Sequence, residues 1–266
     1  MKQKIIQDIE NDGFTIIKSL LTQNEVKFLL KKINKLHKKK IVKFKGVPIR
    51  DKNDKIIYNL QNKDYEFVKI LSKKNIVSIT KHFLNDEYYS YLPKNAPNYN
   101  ILYYNARSSG KKLDLHIDSH IPFKGKKTSM MQFVFLLEDS NEKNGCTIVV
   151  PKSHQSGIYS NRKTKKIMPL DGKAGDVIIW DSRLWHGTLE NYSKKSRWAL
   201  VCTFGMWWVK PMMNITMSLP NSIYKKCNQL EKQLLGFCSI PPKDETERIN
   251  TKTGYDFLKK NVNRYY

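Results

Sequence analysis

The stretch LDLHID at residues 113–118, followed far downstream by His186 and then Arg197, decides how this chain is read. Leu113 to Asp118 reads as a strand, and side chains at i and i+2 of a strand point to the same face. His116 and Asp118 can therefore grip one cation together, and His186, arriving from a distant strand, supplies a third ligand. Two imidazoles and one carboxylate on one side of a metal, with the other positions open, form the facial triad of non-haem Fe(II) sites. An HxD pair alone says little. With a distal His in a strand and a well-placed Arg it becomes much more specific.

Outward from that stretch, short β-type runs and turns alternate. Ile101–Asn105, Met130–Leu137, Cys146–Val150, Val177–Trp180, Arg183–Thr188 and Trp198–Trp208 read as strands. Turn signals stand between them at Ser108-Ser109-Gly110, Asp171-Gly172 and Gly175-Asp176. Many short strands with such punctuation predict a sandwich or barrel, best met by an eight-stranded jelly roll, the double-stranded β-helix. The fold class expected is mostly β with added α.

Ahead of that core the pattern is mainly helical. Residues 3–11 read as a helix stopped at Asp12-Gly13, and Phe14–Ile17 as a brief β run. Thr22 and Glu25 form a capping box, and Val26, Leu29, Leu30, Ile33 and Leu36 then recur at helical spacing over 23–38. Segments 65–73 and 75–84 read as two more helices, and short β-like pieces surround Pro48 and Asp54. Beyond Pro211, one helix is expected after Pro220, with Ile223, Cys227, Leu230 and Leu234 on one stripe and Gly236 as its cap. The last thirty residues are polar and read as mostly irregular. The expected organisation is one domain over 1–266, with a helical layer 1–87, a jelly-roll core 88–210 and a helix and tail 211–266.

The formal charge of +24 raises the question of a polyanionic partner. The excess is overwhelmingly Lys, in a chain also rich in Ile and Asn, which is the mark of an AT-rich genome. Arg would dominate where phosphates or bases are gripped bidentately, so no specific nucleic acid is expected as partner. The field still favours anionic small molecules. The four cysteines, at 146, 202, 227 and 238, form no CxxC pair and read as reduced, mostly buried thiols of a cytoplasmic protein. Asp8, Glu10 and Asp12 argue against a secretory or transit leader. The longest apolar run, about Trp198–Val209, is shorter than the ~20 residues of a membrane span.

Several stretches together resemble the phytanoyl-CoA dioxygenase family of Fe(II)/2-oxoglutarate-dependent oxygenases. They are LHID at 115–118, NGCTIVVPKSH at 144–154, GDVIIWDSRLWHGTLENYSKKSR at 175–197 and the opening NDGFTIIKSLLTQNEV at 11–26. The likeness covers about residues 5–208 and is weak in the tail. It implies Fe(II) held by His116, Asp118 and His186, with 2-oxoglutarate taking two further positions and dioxygen the last. It implies a hydroxylation of a small-molecule substrate, with release of succinate and CO2. Related halogenases carry a small residue in place of the carboxylate, so Asp118 argues for hydroxylation or another oxidation.

Arg197 offers a planar fork for the distal carboxylate of 2-oxoglutarate. If it points inward with Ala199, Val201 and Thr203, it is buried, and a buried Arg without an anion is costly. Thr188 shares the face of His186 and can donate to the same carboxylate. The resemblance turns Gln132 and Val134 inward, along with Ile101, Tyr103 and Asn105. Gln132 and Tyr103 are thus candidates to bind 2-oxoglutarate or substrate, or simply satisfied core groups. Arg183 and Trp207-Trp208 are further pocket candidates. His120 reads as a rim or structural residue, and His154 as a loop His bonding backbone. Two other functions stay open: a non-oxidative jelly-roll metal protein (lyase, isomerase or sensor), and a basic polyanion-binding protein without catalysis. The substrate itself is not readable.

Overall fold

A computed structural model describes residues 2–38, 55–89, 91–108, 110–161, 164, 166–193, 195–241 and 244–246. Along the chain come α1 (Lys2–Asp12), β1 (Phe14–Ile17), α2 (Gln23–Lys38), β2 (Lys55–Ile57), α3 (Tyr65–Leu71) and α4 (Lys74–Leu84). Then follow β3 (Tyr99–Ser108), β4 (Leu113–His116), β5 (Met130–Leu136), β6 (Thr147–Val149), β7 (Met168–Leu170), β8 (Val177–Asp181), β9 (His186–Thr188) and β10 (Trp198–Met206). Short helices α5 (Ile215–Ser218), α6 (Asn221–Tyr224) and α7 (Gln229–Leu234) close the described part. The expected β pieces within 41–54 and the irregular tail over 247–266 lie outside the described residues. Among the described residues, no helix is long and apolar enough to cross a membrane.

Two antiparallel sheets form, ordered β1-β8-β5-β10-β3-β2 and β4-β9-β6-β7. From β3 to β10 the chain passes back and forth between them, except that β6 and β7 are neighbours in one sheet. That path is the jelly roll, and β3–β10 are its eight strands. β1 and β2 extend the larger sheet at its two edges. β1 lies along β8 in the register Phe14↔Trp180 to Ile17↔Val177, so the N-terminal segment contributes strand as well as helix. Covering an open edge in this way removes a row of unpaired backbone groups.

The chain divides into two compact units, Met1–Tyr58 with Tyr104–Cys202 and Asn59–Tyr103 with Thr203–Tyr266. In the first unit the core lies between the sheets. Val134, Leu136, Ile178, Trp180 and Ala199 of the larger sheet meet Val149 and Leu170 of the smaller one, with Phe14, Ile16 and Val201 packed alongside. Each Val, Leu or Ile among them contributes roughly 1.5–3 kcal/mol when fully buried. The alternate residues of the smaller sheet, Leu115, Ile148 and Val150, join Trp185 in a separate apolar cluster on its other face. The capping box of α2 is formed: the Thr22 hydroxyl accepts from the Glu25 N–H at 3.2 Å, and Glu25 accepts from the Thr22 N–H at 2.8 Å. Val26, Leu29 and Ile33 are the buried positions of its stripe.

In the second unit, Glu231 is buried and accepts from the hydroxyls of Tyr65 (3.2 Å) and Ser72 (3.0 Å). Gln233 donates to the Tyr99 carbonyl at 3.0 Å. The single tail helix expected from the Ile223–Leu234 stripe is two helices. Asn228 starts a new one, because its side chain and that of Glu231 exchange hydrogen bonds with each other's backbone N–H in a capping box. Leu230 is consequently only half-buried. Gly236, at φ 92°, follows α7 as the sequence suggests. All four cysteines are buried thiols.

Candidate active site

The antiparallel pair β4 and β9 sets His116 directly opposite His186. Their ring centroids are 4.2 Å apart. Each ring is fixed from behind by a carbonyl two residues earlier: His116 Nδ1 lies 2.9 Å from Asp114 O, and His186 Nδ1 lies 2.9 Å from Leu184 O. A carbonyl only accepts, so each Nδ1 carries the hydrogen and each Nε2 presents a lone pair. Backbone restraint of this kind is how ligating imidazoles are oriented.

Asp118 departs from the strand argument. β4 ends at His116, and Asp118 lies two residues beyond it. Its backbone N–H and that of Ser119 both donate to Ser182 O, at 2.8 and 3.0 Å. This bend brings its carboxylate to the two rings, 3.5 Å from His116 Nε2 and 3.1 Å from His186 Nε2. Gln132, fully buried on the inner face of β5, donates to Asp118 Oδ2 at 2.6 Å. One ligand atom from each of His116, Asp118 and His186 lies within 4.8 Å of the others. Two lone pairs aimed at carboxylate oxygens repel unless a cation sits among them, and three N/O donors of this kind suit a divalent transition metal. Burial alone would raise the Asp118 pKa; when the facing imidazoles are protonated at Nε2 as well, His186 and His116 outweigh burial and hold the carboxyl below its usual range, and in their neutral form a cation must take that place.

Arg197 is 5% exposed. Its backbone N–H donates to the Ser108 hydroxyl at 2.8 Å, and Nη1 to the Ser140 hydroxyl at 3.3 Å. Its Nε is buried without a hydrogen-bond partner among the described residues. Burial pushes its pKa down to about 10, with Cys146 and Glu138 acting in the opposite direction, so it stays a cation at neutral pH. A buried guanidinium with an unused N–H fits a carboxylate guest. Thr188 is half-buried and shares the face of His186, opposite Thr147 on β6. Tyr103 is half-buried on β3 and belongs to the second unit.

The remaining candidates separate clearly. His154 bonds the Glu10 carbonyl at 3.2 Å, the structural role expected of it. His120 is exposed at φ 62°, on the segment after Asp118. Arg183 is buried in an ion pair with Asp181. Trp207 donates to Asp86 at 2.8 Å, and Trp208 is exposed. Sequence reasoning missed Ser108, Ser140 and Ser182, which hold Arg197 and Asp118, and Trp180, whose ring lies 4.9 Å from that of His186. A backbone carbonyl such as Ser182 O leaves no trace in residue type. The one available signal was the alternation that puts Trp180 on the inner face with Ile178.

Fold and site together define an oxygenase-type jelly roll with a three-ligand cluster. Residues 9–199 match the phytanoyl-CoA dioxygenase (PhyH) family, and the chain belongs to it. One relative, Dioxygenase af480 of Aspergillus fumigatus, is 23% identical over 141 residues, 51% of this chain and 46% of that protein. The matched stretch spans less than half the length of the curated relatives. Among solved structures, HygX of Streptomyces hygroscopicus, with nickel and 2-oxoglutarate bound, is similar at TM-score 0.64 and 15% identity, covering 80% of this chain and 90% of that one. The epimerase SnoN, in complex with Fe3+, alpha-ketoglutarate and nogalamycin RO, is similar at TM-score 0.59 and 14% identity, covering 77% and 83%. At these identities the two structures establish a shared fold.

Proposed function

We propose that this protein is an Fe(II)- and 2-oxoglutarate-dependent oxygenase that hydroxylates a small molecule, with 1–266 acting as one catalytic domain. The observation that carries the reading is the meeting of His116, Asp118 and His186 at one point, with both imidazoles locked to present Nε2. These three residues hold the iron. Bound iron supplies the activation of dioxygen, with 2-oxoglutarate as the electron source. The balance is one substrate, one O2 and one 2-oxoglutarate giving hydroxylated product, succinate and CO2. Arg197 takes the distal carboxylate of 2-oxoglutarate, and its unused buried Nε supports that role. Thr188 is its assigned helper. Gln132 orients Asp118 through the 2.6 Å hydrogen bond.

The test is succinate release from 2-oxoglutarate under Fe(II) and air, screened across a panel of metabolites. His186→Ala should lose it, and release at the wild-type rate in that variant would refute the ligand set. Product mass identifies the reaction. Gain of one oxygen atom supports hydroxylation. A product isomeric with its substrate would replace it with an epimerisation, as the similarity to an epimerase allows, and its balance with succinate release needs an external two-electron reductant that returns the second oxygen atom as water.

A further inference from the structure

The turn that follows β8 holds the whole segment between Asp118 and β5. Ser182 O takes the N–H groups of Asp118 and Ser119, and the Ser182 N–H donates to Met130 O at 3.2 Å. Between these ends, Arg183 donates from Nη1 to Gly125 O at 2.8 Å and to Phe123 O at 3.4 Å. Its guanidinium also lies over the Phe123 ring at 4.6 Å. Thr128 donates to Asp181 Oδ1 at 3.0 Å. Arg183 and Asp181 are themselves 3% and 4% exposed, joined at 2.7 Å from Nη2 and at 3.0 and 3.2 Å from Nε. A buried, bidentate pair whose remaining donors go to loop carbonyls is far stiffer than surface contacts.

We propose that Arg183, clamped by Asp181, is a positioning residue that fixes the 118–130 segment as a rigid wall of the active-site mouth rather than a moving lid. This rests on the oxygenase reading, because the segment begins at the proposed ligand Asp118. Ile121, 69% exposed, is three residues from Asp118 and so within about 11 Å along the chain. Phe123 is held on the guanidinium face. The same turn thus sets the carboxylate through Ser182 and the wall through Arg183. Substrate choice at this side of the mouth is then a matter of fixed shape at Ile121 and Phe123.

The segment carries its own reporters, since Lys124, Lys126 and Lys127 are exposed trypsin sites. In the full-length protein, Arg183→Met should speed cleavage at these three lysines about tenfold, read by mass spectrometry against cleavage at Lys2 and Lys225. Ni(II) affinity, measured by calorimetry, should fall roughly tenfold through Asp118. The KM for 2-oxoglutarate should hold. Because removing one partner of a buried pair can unfold a protein, Thr128→Val serves as a milder variant with the same pattern at smaller size. Equal acceleration at every site, or unchanged cleavage at 124–127 in a folded variant, overturns the proposal. Failure of the wild-type protein to bind Ni(II) would instead count against the oxygenase reading, with the cleavage result still deciding the tether.

Discussion

Arg197 and Asp176 show how far single residues can be argued from their partners. The Arg197 guanidinium has lost water, and among the described residues it donates to the Ser140 hydroxyl while its Nε stays unused, so a carboxylate guest gains a partner that is already desolvated. Arg197→Lys keeps charge but loses the fork. The KM for 2-oxoglutarate should rise about 10–100-fold with Ni(II) affinity unchanged, and a shift under threefold would remove Arg197 from that role. Asp176 accepts from the Ser19 N–H, the Lys173 N–H and Lys18 Nζ, each at 2.9 Å. Burial would raise its pKa, but these three donors win and lower it below the ordinary 3.8. Its contribution to stability is therefore complete above pH 3.8 and lost as pH falls through the lower folded value. Asp176→Asn should melt earlier than the parent at pH 7, and the two melting curves should converge as the solution is acidified below that point. The three clustered residues were legible in the sequence because metal chemistry restricts the residue types. The hydroxyls behind Arg197 were not, because serine at 108 and 140 has many ordinary uses.

Elements decide whether the clustered residues meet at all. Gly187 lies between His186 and Thr188, and a Cβ there would collide with the backbone carbonyl of Leu113 on β4. Backbone cannot swing away as a flexible side chain can. Gly187→Ala should separate β4 from β9 and cost about 1–3 kcal/mol of stability. It should also weaken Ni(II) binding, since the two imidazoles face each other across that same pair. A stable Gly187→Ala protein with normal metal affinity would show that the pairing is not what aligns them. In the tail, Asn228→Ala removes the cap of α7 and should lower stability by about 1 kcal/mol, seen in urea unfolding. The periodicity rules found most helices and strands to within a few residues. They failed at Asn228, where an apolar stripe runs on through a residue whose side chain starts a fresh helix. They also failed at Asp118, because a bend imposed by Ser182 O is a tertiary effect that no two-residue period contains.

At the scale of the whole molecule, a guest that binds only the folded state stabilises it in proportion to its saturation. Ni(II) with 2-oxoglutarate at about 100 times the dissociation constant should contribute ~2.7 kcal/mol. For a chain of this length that is an upward Tm shift of roughly 5–10 °C, absent in His186→Ala. No shift in the wild-type protein would disfavour the triad as a metal site. The jelly-roll class was readable because its strands are short and separated by turn signals. The addition of β1 and β2 to the sheet edges was less so, since which strands become neighbours is settled by the roll as a whole. One further consequence follows from His116 facing His186 across β4 and β9. During synthesis the first imidazole leaves the ribosome well before its counterpart, and the guanidinium of Arg197 later still. At bacterial-to-eukaryotic elongation rates the interval between the two imidazoles is roughly 4–14 s. A nascent chain in that window holds a histidine on an unpaired strand and a carboxylate just beyond it, so the three-residue cluster can close only after His186 has emerged.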